Sequence, residues 1–170
     1  MFLHACLRVV RLWRMGCLVL CGFFLCFWGG AAAFAAPSVE EMAGQMLLVG
    51  FKGQEPEECG AILRDIQARH LGGVILFKRD ARNAKLPRNI RDAAQVKRLI
   101  AALRGASAGH PLFVAVDQEG GKVARFQPGD GFPAYPSAAE LGRGTPDATR
   151  RTALGMGRML RELGVNLNFA

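Results

Sequence analysis

The strongest constraint on the fold is the alternation, from residue 37 onward, of short apolar blocks with amphipathic helix patterns. The blocks are apolar enough for strands buried on both faces, which is typical of parallel sheets; they cover residues 46–51, 74–77, 112–116 and 165–170. Between them, two sets of apolar residues recur at helical spacing; the sets are Cys59, Ile62, Leu63, Ile66 and Val96, Leu99, Ile100, Leu103. Strands that alternate with helices predict a parallel sheet with helices packed outside it.

About four parallel strands and four helices fit the first half of a TIM-type (β/α)8 barrel, and the alternative is a small open doubly wound sheet. Ser38 and Glu41 have the spacing of a capping box at the start of the first helix. We expect the last helix to pack through one close-packed side, formed by Ala153, Gly157, Leu160 and Gly164. A final parallel strand at residues 165–170 would leave an exposed edge, so the chain is expected to be truncated.

Residues 1–36 have the pattern of a secretory signal peptide. Three arginines precede an apolar run at residues 15–28, and Ala33-Phe34-Ala35 fits the small-x-small rule for cleavage. The alternative is an uncleaved membrane anchor, because residues 15–36 carry no charge and roughly 20 apolar residues can span a bilayer. We therefore expect a secreted or periplasmic location, with a membrane-anchored one as the alternative.

Charge and cysteine content exclude several functions. The formal net charge is +8, and three of the cations lie in the leader, which leaves +5 on residues 37–170. That excess is small and shows no basic stripe interleaved with aromatic residues, so nucleic acid is not an expected partner. Four of the five cysteines also lie in the leader, so the remainder can form no internal disulfide. Cys59 lies on an apolar helix face, which indicates a buried structural thiol.

The polar residues with the clearest chemical potential follow the third apolar block. Asp117 comes directly after it, and the next polar or glycine positions are Gln118, Glu119, Gly120, Gly121, Lys122 and Arg125. Functional groups of parallel α/β folds gather at the carboxyl ends of strands, and glycines let a ligand approach the backbone. Carboxylates accept from sugar hydroxyls and guanidinium groups donate to them. The alternative is a solvated loop in which Asp117 pairs with Arg125 and Glu119 with Lys122.

Residues 116–126 read Val-Asp-Gln-Glu-Gly-Gly-Lys-Val-Ala-Arg-Phe and resemble the Val-Asp-Gln-Glu-Gly-Gly stretch of bacterial family 3 β-N-acetylhexosaminidases. Residues 72–77 are similar to that family's second strand, and residues 132–136 and 166–170 match later positions. The resemblance makes residues 37–170 the N-terminal part of a family 3 barrel domain. It implies a retaining hydrolase that releases terminal β-linked N-acetylglucosamine from peptidoglycan or chitin-type oligosaccharides. The substrate partner would be an amino-sugar oligosaccharide or a muropeptide, and no metal or organic cofactor is implied.

The resemblance also implies roles for individual residues. Asp117 and Arg125 stand where the family binds the non-reducing N-acetylglucosamine. Glu119 and Lys122 are further candidates; Lys122 replaces the family's usual Arg, which keeps the charge and loses the planar fork. Asp117 and Glu119 are not assigned as an acid/base pair, because nothing in the sequence sets their separation.

The family's catalytic groups are an Asp nucleophile and a His in a Lys-His…Pro-Gly-His-Gly stretch, and we expect both beyond Ala170. The three histidines stand in no such motif: His4 is in the leader, and His70 and His110 are interpreted as surface or boundary residues. The 170-residue chain is therefore expected to be inactive by itself. The alternative to an enzyme is a truncated, catalytically inactive fragment that binds sugar.

Residues 78–91 form a basic loop with six cations and a single acid. We expect it on the same face as Asp117, because it follows the neighbouring strand. The functional hypothesis is attraction of an anionic substrate, such as cell-wall fragments bearing peptide carboxylates. The alternative is a solvated loop, since most charge runs are solvated surface.

Overall fold

The structure, a computed structural model, describes residues 36–107 and 109–170. The signal-peptide prediction concerns residues that lie outside this description. Residues Pro37–Ala170 form one unit. Within the described residues, no helix has the length and apolar character needed to cross a membrane.

The described residues of this unit form five α-helices and six strands. The helices are α1 Val39–Gln45, α2 Gly60–Arg69, α3 Ala93–Ala106, α4 Ala138–Leu141 and α5 Pro146–Leu163. The strands are β1 Leu48–Gly50, β2 Gly73–Leu76, β3 Phe113–Val116, β4 Gln118–Gly120, β5 Val123–Ala124 and β6 Leu167–Asn168. Short 3-10 turns at Pro56–Cys59 and Pro128–Asp130 precede α2 and follow β5.

The main sheet has the order β1-β2-β3-β6, and all its neighbours are parallel. Along the chain, α1 contacts α2, α2 contacts α3 and α3 contacts α5, so these helices form one layer. Sequential parallel strands with a single helix layer are the arrangement of a partial barrel, whereas a doubly wound sheet carries helices on both faces. The predicted parallel α/β fold is confirmed, and the barrel alternative is favoured.

The sheet and the helix layer enclose the core. The predicted face of α3 is confirmed, since Val96, Leu99, Ile100 and Leu103 are all buried. They pack with buried side chains of β2 and β3, such as Val114, and full burial of each side chain contributes about 1.5–3 kcal/mol. Cys59 is also buried, and burial raises the pKa of its thiol to about 11, so it is the structural thiol that the helix pattern indicated.

The packing side predicted for the last helix is wrong in part. Its buried residues are Met156, Leu160 and Leu163, whereas Ala153 and Gly157 are exposed. Met and Leu bury more apolar area than Ala and Gly, so the helix turns its larger side chains to the core. The prediction relied on the small residues of the helix, and such residues indicate close packing only where another backbone lies against them.

The last strand is shorter than the predicted 165–170, and side-chain amides extend its pairing with β3. Asn166 Oδ1 accepts from the Val114 amide at 2.7 Å, and its Nδ2 donates to the Leu112 carbonyl at 3.0 Å. Asn168 repeats this with Gln118, accepting from its amide at 2.9 Å and donating to its carbonyl at 3.0 Å. These four bonds satisfy backbone groups on both sides of the two-residue ladder.

Candidate functional site

Asp117 and Arg125 meet at the carboxyl edge of the sheet. Asp117 directly follows β3 and Arg125 directly follows β5. Arg125 Nη2 donates to Asp117 Oδ2 at 2.6 Å, and their side chains are 31% and 22% exposed, respectively. The guanidinium carbon lies 5.7 Å from the ring centroid of Phe77, which follows β2. A charged pair backed by an aromatic ring is thus presented at this edge, open enough for a ligand to reach.

A fully buried amide, that of Gln118, holds Arg125 in place. Its Oε1 accepts from the backbone amides of Arg125 and Phe126, at 2.9 and 3.0 Å, and its Nε2 donates to the Phe126 carbonyl at 3.1 Å. Sequence reasoning missed this positioning residue, because a single amide among charged residues has the character of a solvated loop. It also missed the hairpin to which Gln118 belongs, formed by antiparallel β4 and β5.

The two glycines of the motif have a different role from the predicted one. Gly120 has φ +90° and Gly121 has φ +58°, so the expected positive φ values are present. A Cβ on Gly120 would lie 2.2 Å from the Pro136 carbonyl oxygen, and the Gly121 amide donates to the Tyr135 carbonyl at 2.9 Å. The close approach is therefore made by the chain's own segment 135–137. This contact holds the β4–β5 hairpin in place, and Arg125 directly follows that hairpin.

Part of the hydrogen-bonding capacity of the pair is unused. Arg125 Nε is buried and has no hydrogen-bond partner among the described residues. Of the two carboxylate oxygens of Asp117, only Oδ2 hydrogen-bonds within that part of the chain. Buried polar atoms are rarely left unpaired in folded proteins, and exceptions are frequently functional. Arg125 thus has donors, and Asp117 an acceptor oxygen, that no described residue uses.

Glu119 and Lys122, the two further candidates, do not pair with each other. Both are exposed, and no ion pair joins them in the described structure. The predicted Glu119–Lys122 pair is therefore wrong, whereas the Asp117–Arg125 pair is present. Alternation along β4 explains the difference, because Gln118 and Gly120 are buried and the residue between them points outward.

The basic loop lies on the same edge as Asp117, as predicted, and several of its cations have structural partners. Lys78 Nζ donates to Gln127 Oε1 at 2.7 Å and forms an ion pair with Asp130, both beyond β5. Arg88 Nε donates to the Phe51 carbonyl at 2.6 Å. Arg91 pairs with Glu55 and Asp92, whereas the remaining cations are exposed; these are Arg79, Arg82 and Lys85. Much of the charge run therefore stabilises loops, and attraction of an anionic substrate stays a hypothesis.

Asn89, inside the same loop, joins the ends of β1 and β2. Its side chain is fully buried. Its Nδ2 donates to the carbonyls of Phe51 and Gly53, at 3.3 and 3.1 Å, and its Oδ1 accepts from the Phe77 amide at 3.0 Å. Asn89 thereby fixes the position of Phe77 below the Arg125 guanidinium. The sequence offered no signal for it apart from one amide among cations.

The single acid of the loop, Asp80, is 6% exposed and lies 2.6 Å from Lys52 Nζ. The hydrogen bond from Lys52 is the main reason that the pKa of Asp80 falls from its usual 3.8 to about 2. Because the lowered pKa keeps the Asp80 carboxylate ionised in the folded state, this ion pair stabilises the fold above about pH 4. Its contribution is lost as the pH falls toward 2. Sequence reasoning gave Asp80 no role.

We therefore expect a pH-dependent effect of Asp80→Asn. The difference in free energy of unfolding between the unmodified chain and this variant should be largest above about pH 4 and should shrink toward about pH 2. Urea denaturation at several pH values measures it. Asp65→Asn, which removes an exposed pair with Arg69, is the matched control, since such pairs contribute little. A difference that does not change over this pH range would contradict the assignment.

A sequential parallel sheet, one helix layer and a carboxylate–guanidinium pair at the carboxyl edge define a barrel-type α/β domain with its site at the usual end. The comparisons with known proteins agree with this class. The family model described as "Glycosyl hydrolase family 3 N terminal domain" matches residues 38–170. The chain belongs to glycosyl hydrolase family 3.

Curated relatives are beta-hexosaminidases. One from Xanthomonas euvesicatoria pv. vesicatoria (strain 85-10) is 38% identical over 133 residues, covering 74% of this chain and 35% of the relative. One from Xylella fastidiosa (strain M23) is 37% identical over 134 residues, with the same two coverages. The chain thus spans about a third of the length of these relatives.

Solved structures agree. A glycoside hydrolase family 3 beta-N-acetylglucosaminidase from Paenibacillus sp. str. FPU-7 superposes with a TM-score of 0.68 at 33% identity, over 79% of this chain and 24% of that one. A beta-N-acetylhexosaminidase from Beutenbergia cavernae DSM 12333 gives a TM-score of 0.60 at 37% identity, over 80% and 38%. The resemblance of residues 116–126 to this family is therefore confirmed over the whole unit.

Proposed function

We propose that this chain supplies the sugar-holding edge of a retaining glycosidase that releases terminal β-linked N-acetylglucosamine from peptidoglycan or chitin-type oligosaccharides. The observation that carries the proposal is the partly exposed Arg125–Asp117 pair at the carboxyl edge of a family 3 barrel sheet. Family membership and the beta-hexosaminidase relatives support it. Export through residues 1–36 to a secreted or periplasmic location is part of the same proposal, with membrane anchoring as the alternative.

The pair is suited to hold a sugar ring rather than to break a bond. The Asp117 carboxylate can accept from sugar hydroxyls while the Arg125 guanidinium donates to them, and each charge-assisted hydrogen bond contributes about 1.5–3 kcal/mol. No second carboxylate lies within ion-pair distance of Arg125 in the described residues. These residues therefore bind and orient the sugar, and the nucleophile and the acid/base are not assigned among the 170 residues.

The substrate we favour within this class carries acidic peptide groups, as muropeptides do. A cleft of about 260 Å³ at the same edge is lined by three cations, Lys78, Arg79 and Arg91. Lys78 is paired with Asp130, and Arg91 with Glu55 and Asp92, so Arg79 is the lining cation that no ion pair engages among the described residues. An exposed cation in a cleft beside a sugar site suits an amino sugar that bears carboxylates. A chitin-type oligosaccharide would leave this cleft unused.

The test of the proposal separates binding from turnover. Arg125→Lys keeps the charge and removes the planar fork, so we expect affinity for N-acetylglucosamine to fall about 10- to 100-fold, by calorimetry or NMR titration. Arg64→Lys, on the exposed side of α2, is the matched control and should bind as the unmodified chain does. Nitrophenyl N-acetylglucosaminide should be bound without release of nitrophenol.

Two results would contradict the proposal. Equal affinity in Arg125→Lys and the unmodified chain would remove Arg125 from the binding site. Turnover by the purified 170-residue chain would show that catalytic groups are present after all, and would also exclude the alternative of an inactive sugar-binding fragment.

A further inference from the structure

Three potential metal ligands meet at the end of the sheet opposite to the sugar site. Glu41 lies on α1, His70 at the end of α2 and His110 just before β3. One ligand atom from each lies within 4.8 Å of the other two, and His70 Nε2 is 3.9 Å from Glu41 Oε1. Both histidines were interpreted as isolated surface or boundary residues; the structure instead brings them together, with ring centroids 5.4 Å apart.

We infer that Glu41, His70 and His110 form a binding site for a zinc-class divalent cation. Two imidazoles and one carboxylate are a ligand set that suits zinc, with a water molecule completing a tetrahedron. Ligands about 2.0–2.1 Å from zinc lie roughly 3.3 Å apart, so each pair must close by at most about 1.5 Å. His110 is exposed and follows Gly109, which has φ +91°, so its side chain has room for that movement.

The carboxylate is prepared for this role by the start of α1. Glu41 Oε2 accepts from the Ser38 amide at 2.7 Å in a capping box, which leaves Oε1 directed toward His70. The helix cap therefore orients one ligand without engaging the oxygen that faces the imidazole.

The backbone of His70 ends α2 and sets the direction of its side chain. His70 has φ 51°, and it is the sole residue other than glycine with a positive φ in the described part of the chain. Its carbonyl accepts from Gln45 Nε2 at 2.7 Å, which secures the turn against α1. Helices commonly end with a residue in this left-handed conformation, most often glycine. The turn directs the imidazole to Glu41 instead of continuing the helix.

The site would join three separate segments at the amino ends of β1, β2 and β3. Its residues lie 29 and 40 positions apart in the chain, so a bound cation would restrict the unfolded state more than the native one. Asp117 and Arg125 lie beyond the opposite ends of these strands. The inferred role is structural and is independent of sugar binding.

The test is zinc titration of the purified, untagged 170-residue chain. We expect one zinc ion per chain with a Kd of about 10 µM or tighter and a raised melting temperature. His70→Asn, which tolerates the left-handed backbone, and His110→Ala should each weaken binding about 10-fold or more. Glu41→Gln keeps the capping box and should weaken binding similarly. Cobalt in place of zinc should give the visible absorption of four-coordinate Co²⁺.

Matched controls are available in the same chain. Glu40→Gln changes the neighbouring exposed carboxylate of α1, and His4→Ala changes the remaining histidine, so both should bind zinc as the unmodified chain does. Magnesium should not bind, because imidazole ligands suit it poorly. The inference is overturned if zinc is not taken up, if His70→Asn and His110→Ala bind it unchanged, or if His4→Ala loses it equally.

Discussion

Gln118→Leu is expected to lower the free energy of unfolding by about 3–5 kcal/mol, because it removes the partner of several buried backbone groups at once. The amide of Gln118 satisfies three such groups, the amides of Arg125 and Phe126 and the Phe126 carbonyl. Leucine has a similar volume and no polar atoms, so it would leave all three without this partner. Each buried polar group left unpaired costs about 1–3 kcal/mol. Urea denaturation of the purified chain measures the change.

Gln67→Leu is the matched control for this prediction. Gln67 is exposed on α2, where such a change is expected to stay within about 0.5 kcal/mol. Gln118→Leu should also weaken binding of N-acetylglucosamine, because Arg125 loses the contact that positions its backbone. A destabilisation no larger than that of Gln67→Leu would mean that the hairpin finds other partners and that Gln118 does not position the site.

Gly120→Ala is expected to destabilise the chain by about 2–5 kcal/mol. An L-residue at φ +90° is strained by roughly 1–3 kcal/mol. The added Cβ would also overlap the Pro136 carbonyl oxygen at 2.2 Å, and displacing packed backbone costs about 1–3 kcal/mol more. Because Pro136 belongs to the segment that seats the β4–β5 hairpin, the variant should lose sugar affinity as well as stability.

Gly129→Ala separates these effects from the general cost of replacing glycine. Gly129 lies in the same region of the chain, its φ is not positive, and an added Cβ would meet no atom within 4 Å. Its effect should stay within about 0.5 kcal/mol, and sugar affinity should not change. Equal stability of Gly120→Ala and Gly129→Ala, by urea denaturation, would contradict the role given to the contact with Pro136.

The elements that could be predicted from sequence are those defined by apolar periodicity. The buried face of α3 and the apolar blocks around β2 and β3 were placed correctly, because burial on a helix or sheet requires a regular pattern of side chains. The packing side of α5 was not, since small residues and large apolar residues both recur at helical spacing and only the neighbouring helix selects between them. The first and last residues of the strands were predicted least well, because pairing with neighbouring strands determines where a strand begins and ends.

The proximity of Asp117 and Arg125 was predictable, whereas the residues that support this pair were not. Asp117 follows a strand, and the motif brings Arg125 back to it, so their proximity follows from local sequence. Gln118 and Asn89 could not be recognised in the same way. Each is one amide in a polar stretch, and its importance arises from backbone groups 7 to 38 residues away that become buried beside it. Such partnerships exist only after the strands are assembled.

The two asparagines at the last strand, Asn166 just before β6 and Asn168 within it, have a consequence for protein engineering. Asn166 and Asn168 each offer a side-chain amide that acts as an additional peptide group toward β3. A shift of this strand by one residue would turn both amides away and break four hydrogen bonds, so register is specified by side chains and not by strand length. The pairing of β6 with β3 and its two asparagines can be transferred to another protein as a unit. Transplanted with both asparagines into a designed parallel sheet, it should specify one alignment where an apolar strand of equal length would slip.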